Sequence, residues 1–130
     1  MKKCLVFCLA GVLAAVVPAA AHHSFAAEYD ANAPITLKGV VTKVDWTNPH
    51  TYIYIDVKDD SGNVTNWAME GYPPNTLRRT GFTRELVKPG DAITITGWRA
   101  RDSASRAAAR EITLQDGRKV YLGPVAQPTQ

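Results

Sequence analysis

Residues 51–58 alternate cleanly: Tyr52, Tyr54, Asp56 and Lys58 fall on one side and Ile53, Ile55 and Val57 on the other. A two-residue period over this length is that of a strand with one buried face. Upstream, residues 35–46 place apolar side chains at Ile35 and Leu37, then change phase across Gly39, Val40 and Val41 to reach Val44 and Trp46. A phase change at a glycine predicts a bulged, strongly curved first strand. Residues 59–63, Asp-Asp-Ser-Gly-Asn, predict a hairpin turn into a return strand over 64–70, whose larger apolar side chains are Val64, Trp67 and Met69.

The pattern then breaks at Gly71-Tyr72-Pro73-Pro74, and residues 75–81 predict one or two helical turns, with Asn75 as the cap and Gly81 at the end. Lys88-Pro89-Gly90-Asp91 predicts a turn that launches an alternating fourth strand over 92–98. A polar loop leads to a fifth strand over 110–114, and a turn at 116–119 leads to a short terminal strand or extension at 120–122. Three strands, a short helix and two strands is the order of a small all-β, five-stranded barrel of the oligonucleotide/oligosaccharide-binding (OB) type. In such barrels the loops joining strands 1–2 and 4–5 flank the ligand face, which here singles out residues 47–50 and 99–107. A β-sandwich is the alternative, but the chain offers few strands for one.

The N-terminus follows a different pattern. A Lys2-Lys3 pair, an apolar stretch over 5–17 and the small residues Ala19, Ala20 and Ala21 match a cleavable secretory signal. The apolar stretch falls short of the roughly 20 residues that span a bilayer, which argues against a stable membrane anchor. The expected organisation is a signal peptide over 1–21, an N-terminal arm over 22–34, a barrel over 35–123 and a tail over 124–130. The protein is expected in the periplasm.

Export changes the composition. Cys4 and Cys8 both lie in the signal, so the mature chain has no thiol and no disulfide. Removing 21 of 130 residues leaves 109, enough for one compact domain. Thirteen basic and twelve acidic residues remain, a balance of +1 that gives no electrostatic case for nucleic acid.

Cleavage after Ala21 would make His22 the first residue and give one ion both its α-amine and its ring. A further ring from His23 or His50 would complete a three-nitrogen histidine brace. Cleavage after Ala19 would instead put His22 at position three, a square-planar amino-terminal site. Either nitrogen set suits copper(II), which heads the affinity order of divalent first-row ions. The bland alternative is a polar start to the chain, with His50 hydrogen-bonded at a strand edge.

The densest motif is Trp46-Thr47-Asn48-Pro49-His50. Pro49 fixes its own φ and biases Asn48 toward extended backbone, so the loop is pre-shaped. Asn48 or a neighbouring carbonyl is expected to orient the His50 ring, while Trp46 is read as a core residue or as part of a ligand face. Tyr52 and Tyr54 share the outward side of their strand, and with Trp46 and Arg99 they form a second candidate surface for a sugar, peptide or envelope-protein partner. Trp67 and Trp98 are read as core. Glu70, Glu85 and Glu111 are expected to have nothing to pair them. With no thiol nucleophile and no recognisable Ser–His–acid spacing, the reading favours a binding domain over an enzyme.

The His22-His23-Ser24-Phe25 start, the Trp46-x-Asn48-Pro49-His50 loop, and Leu86, Gly90, Asp91 and Gly97 around the fourth strand resemble an uncharacterised family of small bacterial periplasmic proteins. The resemblance implies export and an OB-like barrel. It implies no activity.

Overall fold

The computed structural model describes residues 25–123. The expected signal segment, His22, His23 and the tail from residue 124 lie outside the described residues. The elements are β1 Tyr29–Asp45, β2 Thr51–Lys58, β3 Val64–Gly71, helix α1 Pro74–Arg79, β4 Ala92–Ala100, β5 Arg106–Thr113 and β6 Lys119–Tyr121. One helical turn over residues 25–28 precedes β1. No helix among the described residues is long and apolar enough to cross a membrane.

The strands close on themselves. β1 pairs antiparallel with both β2 and β4, β2 with β3, and β4 with β5. Parallel pairing of Ala68 with Arg106, Met69 with Ala107 and Glu70 with Ala108 joins β3 to β5 and completes a five-stranded ring. β6 extends the free edge of β5. This is the OB-like barrel with its helix between strands 3 and 4.

The long β1 can serve two partners because it bends. Its register slips between Val41 and Lys43, just past the glycine where the sequence changes phase. Gly39 itself lies where strands press together, since a Cβ there would stand 2.5 Å from the carbonyl oxygen of Asp56. Inside the ring Leu37, Val41, Ile53, Ile55, Met69, Ile95 and Ile112 form one core, which Leu77 of α1 and the following Phe82 and Val87 join. Fully burying each of these large side chains contributes about 1.5–3 kcal/mol. Trp67 belongs to this core, as expected.

Several boundaries differ from the sequence expectation. β1 starts at Tyr29 rather than Ile35, because Tyr29 pairs with Ala100 and Pro34 with Trp98 across an irregular register. β5 starts at Arg106 rather than Arg110, so the loop between β4 and β5 covers only residues 101–105. Asn75 does not cap α1. Pro73 holds that position without a side-chain hydrogen bond, while Gly81 ends the helical segment at φ +88°.

A second, smaller core lies on the outside of the barrel. Tyr29, Trp98, Ala100 and Ala108 are buried together, with Phe25 packed against them. The Phe25 ring meets Trp98 edge-on at 5.9 Å and Tyr29 at 5.6 Å. Arg101 ties the same turn down, its backbone N–H donating to the Glu28 carbonyl at 2.9 Å and its Nε to the Ala26 carbonyl at 2.7 Å. Trp98 is thus a core residue of the docked arm rather than of the barrel interior.

Candidate functional site

The register of the β2–β3 hairpin builds the site. Its turn places Lys58 opposite Val64, and six residues further along each strand Tyr52 stands opposite Glu70. His50 immediately precedes β2, at the end of the loop that follows β1. The outward phase of both strands then brings the His50 ring to the Glu70 carboxylate, with Nδ1 against Oε1.

The second carboxylate oxygen is also engaged. Oε2 of Glu70 accepts a hydrogen bond from the Tyr29 hydroxyl, which reaches it from the docked start of β1. The Glu70 side chain is only 13% exposed, whereas His50 is 46% exposed. A carboxylate this sheltered needs such partners, because an unpaired buried charge is costly. The expectation that Glu70 has nothing to pair it is therefore corrected. So is that for Glu111, whose Oε1 lies 3.0 Å from Lys119 Nζ.

Tyr52 flanks the same carboxylate. Burial, reinforced by the negative charge and hydrogen bonding of Glu70, pushes its hydroxyl up to about 12. Burial and the same carboxylate also raise Tyr29 far above the ordinary phenol range. Both hydroxyls stay neutral donors at any physiological pH. Arg106 covers the Tyr29 ring at 5.5 Å, and its guanidinium lies 3.4 Å from both Glu28 and Asp102.

The other expected site residues are dispersed. Tyr52 and Tyr54 do share the outer side, their rings stacked at 6.3 Å. Trp46 instead packs against the main core and stacks on Phe82 at 5.9 Å. Arg99 lies over the ring of the core residue Trp67 at 5.2 Å. Asn48, exposed and joined to Pro49 by a cis peptide bond, does not orient His50; Glu70 does. Glu70 and Tyr29 were missed as site residues, although counting back from the hairpin turn would have set Glu70 opposite Tyr52.

With Nδ1 against Oε1 of Glu70, Nε2 is the nitrogen of the half-exposed ring turned away from the carboxylate. A carboxylate behind a histidine is the arrangement that fixes tautomer and ring direction in metal-binding imidazoles. Among the described residues no group of three or more His, Cys, Asp or Glu could hold a metal ion. Within residues 25–123 His50 thus stands as a single imidazole backed by a carboxylate.

A family model described as a family of unknown function (DUF6152) matches residues 10–109 of the chain. No curated protein and no solved structure matches it.

Proposed function

The chain belongs to this family of unknown function, and from its own residues we propose that it is an exported, periplasmic copper-binding domain. His50 supplies the barrel's ligand and the amino-terminal histidines His22 and His23 supply the rest. The observation that carries the reading is the Glu70–His50 pair, which directs one ring nitrogen inward and leaves the other for an ion.

Two further features support it. The described chain begins at Phe25, docked on Tyr29, and Tyr29 donates to the same Glu70 that holds His50. His23 lies two residues before Phe25, a span of at most about 7 Å of extended chain. The Lys2-Lys3 pair, the apolar stretch and Ala19 to Ala21 support export, with processing that would leave His22 at or near the new amino terminus. Nitrogen ligands in a tetragonal set favour copper(II). Delivery, sensing or buffering of the ion is the role this reading gives the domain.

Intact mass of the exported protein tests the first step, and a chain starting at Ser24 or later overturns the reading. Copper titration of the processed form then tests the second. One ion binds per chain, and both His22→Ala and His50→Ala weaken it substantially; unchanged affinities reject the site.

The outward stacking of Tyr52 on Tyr54 supports a second reading, a metal-free module that takes a sugar, peptide or envelope protein on this face. On that reading Tyr54→Ala abolishes binding of the partner while the histidine substitutions leave it intact.

A further inference from the structure

One carboxylate serves two structures that the sequence keeps far apart. Glu70 uses Oε1 for His50, the candidate ligand on the barrel, and Oε2 for Tyr29, the first residue of β1 and the inner end of the docked arm. The two contacts occupy different oxygens, so neither has to break for the other to form.

The arm's remaining contacts are apolar packing, bonds to its backbone carbonyls, and the guanidinium groups of Arg106, over the Tyr29 ring and 3.4 Å from Glu28, and of Arg101, 3.8 Å from Asp30. Phe25 and Tyr29 pack on Trp98, Ala100 and Ala108, and Arg101 holds the carbonyls of Ala26 and Glu28. None of these touches Glu70. Removing the Tyr29 hydroxyl while keeping its ring would therefore leave the packing and cut only the link to Glu70.

We infer that Tyr29 and Glu70 form a latch that docks the amino-terminal arm and orients His50 through the same carboxylate, so that the site is preorganised before an ion arrives. The inference rests, for its consequence on copper, on the reading given above. The latch itself exists without metal. Preorganisation acts because a His50 ring already held by Glu70, beside an arm already docked at Phe25 to Tyr29, leaves less ordering to be met when an ion binds. Tyr29 and Glu70 are positioning residues; neither needs to touch the ion.

Three measurements test this. In copper-free protein, hydrogen exchange of the amides of residues 25–30 rises about tenfold or more in both Tyr29→Phe and Glu70→Ala, the scale of one hydrogen bond to a charged group. The double variant exchanges no faster than either single one, because both remove the same link. Nitrogen-15 NMR of His50 shows the Nδ1–H tautomer in the unsubstituted protein and in Tyr29→Phe, and loses it in Glu70→Ala, a signature that loosened packing alone would not produce. Unchanged arm exchange in either single variant, or additive effects in the double, overturns the latch whatever copper does.

The third measurement is a copper-affinity cycle. Tyr29→Phe weakens binding about tenfold in the unsubstituted background and has no effect in His50→Ala. Equal losses in both backgrounds overturn the coupling to His50. Should His50→Ala itself leave affinity unchanged, the copper reading falls, and the exchange data still decide the latch.

Discussion

His50, immediately before β2, and Glu70 on β3 meet side chain to side chain because the β2–β3 register sets Thr51 opposite Gly71 and Tyr52 opposite Glu70. A metal-binding imidazole without the acceptor behind it loses both its favoured tautomer and its direction. Outer partners of this kind are worth 10–100-fold in metal affinity. Glu70→Ala is expected to lower copper affinity within roughly that range, measured by competition against a chelator of known strength. Equal affinity would mean that Glu70 serves the fold alone.

Trp46 and Phe82 anchor the other side of the same loop. Phe82 has no exposed surface, and its stack with Trp46 ties the β1–β2 connection to the segment after α1. Phe82→Ala is expected to cost about 3–5 kcal/mol, as large-to-small changes at fully buried aromatics do. Urea unfolding followed by tryptophan fluorescence measures the loss. A change below about 1 kcal/mol would show that the segment is not part of the cooperative core.

What the sequence revealed follows from the range of the interactions involved. The hairpin, the turns at residues 59–63 and 88–91 and the inward set Ile53, Ile55, Ile93 and Ile95 are local patterns, and the structure has them where the alternation puts them. β1 begins earlier than its alternation suggests because Tyr29 and Pro34 are held by partners in β4, about 70 residues away. β5 begins earlier because Ala107, Ala108 and Ala109 carry little strand signal; their small side chains matter only once β3 and β4 lie on either side. His50 was legible as a candidate from its residue type and rigid loop. Its partner was not, since Glu70 is joined to His50 by strand register and to Tyr29 by the docking of the arm.

Gly97 shows how tightly those strands approach. A Cβ there would lie 1.9 Å from the carbonyl oxygen of Ala108, beside the register slip between Thr96 and Gly97. The obstacle is backbone, so no rotamer change relieves it. Gly97→Ala is expected to destabilise the barrel by about 3 kcal/mol, the upper end of the overpacking range, and to disturb the outer core through the adjacent Trp98. Thermal unfolding checks the first part, and near-ultraviolet circular dichroism of the tryptophans the second. A variant of unchanged stability would refute the close approach of β4 to β5.

Tyr52 makes the alkaline limb of the stability curve a probe of the Glu70 environment. Its hydroxyl ionises near 10 in the unfolded chain and is pushed up to about 12 in the fold by burial and by Glu70. Across that interval the unfolded state releases the proton and the folded state keeps it. The contribution is thus fully present below about pH 10 and is lost as pH rises toward about 12. Tyr52→Phe has no proton to lose, so its stability should fall less steeply between those pH values. Parallel urea titrations of the two proteins at pH 9, 10 and 11 compare the slopes. Equal slopes would place the Tyr52 hydroxyl in open solvent and remove it from the group of donors around Glu70.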